Sequence, residues 1–159
     1  MRARFAPVDF QRHADVCVRF RRDSFVCSFG SDAAFERSGG AEGYLEWLRA
    51  RAAELPEGIV HVWSGDEIVG QIEMRIRGVP PAGYVNLFYL VPSARGSGLA
   101  TSLQDYVVAI LRARTIASAT LSVSPVNVRA IRYYTKHGWI DLGVRANSPE
   151  VHVMKLQLD

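Results

Sequence analysis

The run Arg95-Gly96-Ser97-Gly98-Leu99-Ala100 follows an almost wholly apolar stretch, residues 84–91, and opens a long segment with helical spacing. Read as strand, turn and helix, this order aims the turn's backbone N–H groups outward at the positive end of a helix dipole. That makes an anion site, and with two glycines a diphosphate site. Glycine matters at 96 and 98 because a phosphate oxygen approaches a backbone amide closely only where no Cβ intervenes. Two familiar phosphate chemistries fail on spacing. No Gly-Lys-Ser/Thr ending is present, which removes the nucleoside-triphosphate loop. A dinucleotide fingerprint would place a third small residue at Thr101 and an acid near the end of the next strand, where Ser122, Val123 and Ser124 stand. A tight turn with no ligand is the structural alternative.

The elements that position this turn can be read along the chain. Residues 3–8 form a strand, and Phe10, Ala14, Cys17 and Val18 give a helix over 10–22 capped by Asp9. A polar, glycine-rich stretch around 30–40 leads to a second helix over 42–54, which stops before Pro56. Strands 59–63 and 68–76 pair as a hairpin through Ser64-Gly65-Asp66. The apolar strand 84–91 feeds the glycine turn, and a helix over 96–113 buries Leu99, Leu103, Tyr106, Val107 and Ile110. A strand over 120–124 is followed by a helix over 128–137, capped by Asn127 and ended by Gly138. Strands 139–144 and 151–158 close across Asn147-Ser148-Pro149. With no repeat or linker, residues 1–159 read as one domain.

Arg95, Gly98 and Ala100 fit a pattern of Arg or Gln, two residues, Gly, one residue, then Gly or Ala. Asn127, Ala130, Tyr134, Gly138 and Trp139 fit a second, in which Ala follows Asn by three, Tyr by seven, and Gly with an aromatic by eleven and twelve. On these two motifs the chain resembles the GNAT superfamily of N-acetyltransferases, most firmly over 59–139 and least before Ala41. The resemblance implies an α/β fold whose mixed, mostly antiparallel sheet splays after strand 84–91 and is flanked by helices. It implies acetyl-CoA as cosubstrate and no metal. The pantetheine arm would bond to backbone near Phe88 and Leu90, and the diphosphate would sit on Gly96, Ser97, Gly98, Leu99, Ala100 and Thr101 beside Arg95. Asn127 either caps its helix only or holds the pantetheine as well. Tyr134 either donates a proton to the departing thiolate or is a core aromatic. The implied activity is acetyl transfer to a primary amine by direct attack, with the oxyanion held by a strand N–H near Leu90.

An alkylamine with a pKa of about 10.4 is almost wholly protonated at pH 7, so freeing its lone pair costs about 4 to 5 kcal/mol. Some members of the superfamily place a Glu on the strand after the phosphate-binding helix, where this chain has Ser122. Glu73 is the substitute, because Gln71, Glu73, Arg75 and Arg77 share one strand face beside the cleft strand. Its structural reading is a solvent-facing carboxylate paired with Arg75 or Arg77. Asn86, a lone polar residue in an apolar strand, is suited to orient a water or the acceptor. Phe25, Phe29 and Phe35 with the Arg19–Arg22 cluster would line an acceptor pocket for an anionic group, or pack as core beside solvated arginines.

Hydrophobic residues make up 48% and charged residues 22%, with no apolar run of the roughly 20 residues a membrane span needs. Residues 1–10 lack the apolar core of a secretory signal, so a soluble, cytoplasmic monomer or homodimer is expected. Cys17 and Cys27 have no second pair to complete a zinc site. A net charge of +3 and a pI near 9.1 suit polyanions, but no recognised nucleic-acid module is present. A non-catalytic acyl-CoA-binding module, and an acylating enzyme linked to nucleic acid, are the competing functions.

Overall fold

Alternating and continuous apolar patterns from residue 59 onward build six strands, which a short N-terminal strand joins, and helices bridge the longer gaps. The computed structural model describes residues 2–158. In chain order the elements are β1 (Arg4–Pro7), α1 (Phe10–Phe29), α2 (Ala33–Arg37), α3 (Gly40–Glu54), β2 (Ile59–Ser64), β3 (Glu67–Arg77), β4 (Ala82–Leu90), α4 (Leu99–Ala113), β5 (Ser118–Val123), α5 (Val128–Lys136), β6 (Ile140–Arg145) and β7 (Ser148–Gln157). One sheet runs β1-β2-β3-β4-β5-β7-β6. Every neighbouring pair is antiparallel except β4 and β5, which are parallel.

Strand alternation sends successive side chains to opposite faces, and two helical layers cover them. On one face Ile59 packs with Cys17, Tyr44 and Leu48 of α1 and α3, while Leu87 and Tyr89 pack with Phe20. On the other, Val60, Val62, Ile72 and Met74 pack with Leu99, Leu103, Val107 and Leu111 of α4. The β4–β5 ladder is short. It joins Gly83, Tyr84 and Val85 to Ala119, Thr120 and Leu121, and beyond Val85 the two strands no longer pair. At the same place β4 carries an extra residue: Glu73 opposes Leu87 and Met74 opposes Val85, so Asn86 is bulged.

Several boundaries differ from expectation for local reasons. α1 runs to Phe29 rather than 22, since neither Gly nor Pro interrupts it before Gly30, whose left-handed φ of 79° ends it. Its N-terminus is capped as expected by Asp9, which accepts from the amides of Gln11 and Arg12 at 3.1 and 3.2 Å. The polar stretch contains α2, folded because Phe35 is buried at 3% exposure. α4 begins at Leu99 rather than Gly96, because Gly96 and Gly98 hold φ of 77° and 89°, outside a right-handed helix. The last hairpin turns at Ala146 and Asn147, so Ser148 and Pro149 belong to β7.

Gly70 of β3 shows how close the β3–β4 approach is. A Cβ there would lie 2.4 Å from the Tyr89 backbone oxygen, which cannot swing aside as a side chain can. Gly70→Ala is therefore expected to destabilise by about 1 to 3 kcal/mol. In thermal melts that is a fall of roughly 2 to 12 °C; an unchanged melting temperature would show that the strand pair relaxes freely.

Candidate functional site: a glycine turn at the mouth of a splayed sheet

The turn after β4 is held from both ends. Arg95 donates from Nε to the Leu90 carbonyl at 2.9 Å and from Nη2 to Asp23 Oδ2 at 3.2 Å, with its guanidinium over the Tyr89 ring. Tyr89 donates to the same Asp23 oxygen at 2.5 Å. The Arg95 side chain thus ties the turn to β4 and α1, and the turn's backbone is left to meet a ligand. Among the described residues the amides of Gly96, Ser97 and Gly98 have no acceptor. Nothing lies within 4 Å of where a Cβ would stand on either Gly96 or Gly98, and no acid occupies the first turn of α4. Leu99 is buried, which roots the helix, while Ala100 and Thr101 complete its first turn.

α5 is fastened to that first turn. Tyr133 donates to the Ala100 carbonyl at 2.6 Å, Thr101 Oγ1 meets His137 Nε2 at 3.2 Å, and Gln104 bridges the His137 carbonyl and the Trp139 indole. Asn127 Oδ1 accepts from the Ala130 amide at 3.3 Å, so its cap role is formed. Tyr134 packs its ring against Trp139 and Tyr133 and lies 6.4 Å from the Phe88 ring. Its hydroxyl has no hydrogen-bond partner among the described residues. Burial, with Tyr133 adding to it, pushes the phenol well above the ordinary tyrosine value. Phe88 is half-buried and Leu90 buried, both on the stretch of β4 that β5 leaves.

Glu73 is found elsewhere than expected. Ile72 and Met74 face α4, so Glu73 points to the opposite side, under α1 and α3, at 0% exposure. It neither faces solvent with Arg75 or Arg77 nor lines the α4 side of the gap with Tyr134; Arg75 pairs instead with Glu54. Glu73 Oε2 accepts from the Tyr44 hydroxyl and from Gln71 Nε2 at 2.8 Å, and Oε1 lies 3.9 Å from Arg21 Nη1. Gln71 also donates to the Tyr44 oxygen at 2.9 Å, and its Oε1 is 2.9 Å from His61 Nε2, which sits 3.5 Å from Cys17 Sγ. Desolvation, then Glu73, pushes the Cys17 thiol up to about 12. Tyr44 and the particular role of Arg21 were not legible beforehand: Tyr44 falls on the inner side of its helix one turn before Leu48, and nothing in type separates Arg21 from Arg19 or Arg22.

Arg21 crosses to the bulge, donating from Nη1 to the Asn86 carbonyl at 3.2 Å. Asn86 Oδ1 is buried with no hydrogen-bond partner among the described residues. Phe25 is half-buried against Phe35, whereas Phe29, at the end of α1, is 44% exposed. Among the described residues no cluster of His, Cys, Asp and Glu is placed to hold a metal, and no helix is long and apolar enough to cross a membrane.

A mixed sheet parted at its parallel pair, with an open glycine turn beside the gap, defines the GNAT type of α/β fold. The model of the acetyltransferase (GNAT) family matches residues 19–139, and the chain belongs to that family. Solved structures of the same fold include the PaiA N-acetyltransferase from Thermoplasma acidophilum in complex with coenzyme A, with a TM-score of 0.79, 15% identity and 99% of each chain covered. Ard1 from Thermoplasma volcanium has a TM-score of 0.77 at 18% identity, covering 100% of this chain and 99% of its own. Naa50 from Arabidopsis thaliana, in complex with the bisubstrate analogue CoA-Ac-MVNAL, has a TM-score of 0.70 at 16% identity with 98% of each chain covered. No curated protein matches the chain.

The buried network carries a pH signature. Burial lowers the His61 imidazole from its ordinary 6.5 to about 4, against the opposing effect of the Gln71 hydrogen bond. Between those values the unfolded chain binds more protons than the folded one. The native state is therefore favoured fully above about pH 6.5 and loses stability as pH falls toward 4, by on the order of 3 kcal/mol at most. Urea unfolding from pH 7 to 4 should show this slope, flattened in His61→Gln. An equal slope in the variant would assign it to other groups.

Proposed function

We propose that this protein transfers an acetyl group from acetyl-CoA to a primary amine, which attacks the thioester directly. The observation that carries the reading is the free edge of β4: from Asn86 to Leu90 it lacks a β5 partner, and the unpartnered amides of the glycine turn lie at its end. The fit to a diphosphate rests on the same turn, where a Cβ-free surface and the N-terminus of α4 coincide. Bound acetyl-CoA would supply an activated carbonyl and a thiol leaving group.

The chain's own residues then have distinct tasks. The backbone of Phe88 and Leu90 offers hydrogen bonds to an extended amide-bearing arm, and the Gly96 to Thr101 turn holds the anionic end, with Asn127 fixing the start of α5. Tyr134 gives its proton to the departing sulfur; with no partner among the described residues its hydroxyl is free to do so, and burial keeps it protonated at neutral pH. Glu73 lacks the access that a proton acceptor needs, so its assigned task is to hold Tyr44 and Arg21, and the ammonium proton leaves to water. Asn86, Phe25 and Phe29 lie on the acceptor side. Structural neighbours bound to peptide-bearing ligands, such as Naa50, support an amine acceptor in general without fixing its kind.

CoA at about 100 times its dissociation constant should stabilise the protein by about 2.7 kcal/mol. That is a melting shift of roughly 5 to 10 °C. No shift with CoA or acetyl-CoA would remove the proposal.

Tyr134→Phe deletes one oxygen while keeping the ring against Trp139, so the melting temperature and the CoA shift should be unchanged. A positioned general acid contributes about 10² to 10⁴ in rate. Release of CoA thiol should fall at least tenfold at pH 7, and the deficit should narrow past about pH 9, where the thiolate leaves unaided. Undiminished turnover from pH 7 to 9 would make Tyr134 a packing residue. Thermal stabilisation by CoA with no thiol release from any amine would instead mark a binding module.

A further inference from the structure

Opposite the α4 layer, a cavity of about 210 Å³ opens between α1, α2 and α3. Its walls are aromatic: Phe25, Phe35, Tyr44 and Trp47 follow one another at centroid spacings of 5.7, 5.8 and 6.5 Å. Arg21 is the charged residue that lines it. Its guanidinium lies over Phe25 and Tyr44, and its side chain is 20% exposed. Of the five N–H groups of an arginine, one from Nη1 has an acceptor within hydrogen-bond distance among the described residues, the Asn86 carbonyl at 3.2 Å.

The neighbouring carboxylates do not fill the remaining valence. Arg22 takes Asp32 and Glu36, and Asp23 is held by Tyr89 and Arg95. Glu73 stands 3.9 Å behind Arg21, with its other oxygen occupied by Tyr44 and Gln71. Arg21 is thus a braced guanidinium with open donors in a half-closed aromatic cavity, fastened to the bulge where β4 leaves β5.

We propose that this cavity receives the acceptor, and that the acceptor is a free amino acid: its carboxylate on Arg21, its apolar side chain among the four rings, its amine at the gap beside Asn86. This rests on the acetyltransferase reading above and names the substrate class for it. The planar guanidinium fork matches a carboxylate, and the bond is charge-assisted in a half-closed aromatic surrounding that screens it less than open water does. A second cation on the acceptor would meet Arg21 and be repelled, which disfavours polyamines. Glu73 keeps the field from being purely positive, so the ammonium of a zwitterion is tolerated. The volume lies below the roughly 300 to 1,000 Å³ of larger ligand pockets, which suits one residue rather than a peptide. In a peptide the first residue's carboxylate is an amide, and Arg21 would lose its partner.

The test measures thiol release from acetyl-CoA with matched pairs: phenylalanine against phenylalaninamide, and leucine against leucinamide. The expected kcat/KM is at least tenfold higher for each acid. Arg21→Gln should bring the ratio toward one, chiefly through the KM of the acids, and Arg21→Lys should restore part of it; the CoA melting shift should persist in both. Calorimetry with N-acetylphenylalanine and its amide, with and without CoA, reads the same preference without turnover, again tenfold or more and lost in Arg21→Gln. Equal handling of acids and amides in both measurements, with thiol release and the CoA shift intact, would overturn the amino-acid inference and leave the acetyltransferase reading standing. Absence of any CoA shift or thiol release would overturn that reading instead, while calorimetry without CoA still decides whether the cavity holds a carboxylate.

Discussion

The molecule depends on one failure of pairing. β4 and β5 run parallel and share a ladder only at Gly83, Tyr84 and Val85, after which the bulge at Asn86 turns β4 away. A bulge increases local twist and leaves one residue outside the ladder. Here it frees a strand edge inside a sheet rather than at its rim, where the backbone donors and acceptors of β4 would otherwise be satisfied by β5. Buried backbone groups without partners are costly, so an edge of this kind is stable only if something polar comes to it. The two strands stay joined below the gap through Gly83, where a Cβ would press into Leu111 at 2.8 Å, and that close contact keeps α4 and the turn before it fixed to the point of divergence.

Everything on the α1 and α3 side follows from having polar groups beneath that bulge. A carboxylate at 0% exposure is tolerable only with hydrogen bonds and an opposing charge, and Glu73 has Tyr44, Gln71 and Arg21. Gln71 passes the constraint on to His61, which donates from Nε2 to the Gln71 oxygen and is kept neutral by burial against the pull of that bond. The chain of bonds orders itself by the number of donors and acceptors each group has, and its free end is Arg21. Buried hydrogen bonds of this kind are directional and strong in a low-dielectric interior, although Glu73 Oε1 itself has no hydrogen-bond partner among the described residues. The network therefore sets where the guanidinium stands relative to the Asn86 carbonyl, which packing of aliphatic groups could not do with the same direction.

Much of this was legible in the sequence. The strand, glycine turn and helix from Tyr84 to Ala113 could be read because apolar runs and glycines with forced backbone angles have few alternatives. The motif from Asn127 to Trp139 was legible for the same reason: a cap, a helical stripe and a terminating glycine each have one local meaning. What sequence could not show was the far side of β3. Period two places Gln71 and Glu73 on one face, but which layer covers that face is decided by α1 and α3, and their packing residues are spread over the chain. The same gap hid α2 within the glycine-rich stretch, since its stability comes from Phe35 meeting Phe25 and Tyr44, not from its own five residues.

The two faces also explain why the proposed chemistry divides as it does. Phe88 and Tyr134 belong to the α4 side, whereas Arg21, Tyr44 and Glu73 belong to the α1 and α3 side, from which Arg21 reaches the Asn86 carbonyl at the bulge. Two reactants entering from opposite faces would meet in a single line through the sheet, each held by its own layer. Orientation of that sort lowers a bimolecular barrier without any group that changes covalent state. It would also separate the electrostatics: in the proposed arrangement the amides of the glycine turn meet an anion on one side and Arg21 meets one on the other, and between them lies an apolar strand that carries no charge of its own. The bulge is thus the break in the sheet, and in the proposed chemistry the two reactants would meet there; a substitution that restored β4–β5 pairing beyond Val85 would then separate the two half-sites while leaving each intact.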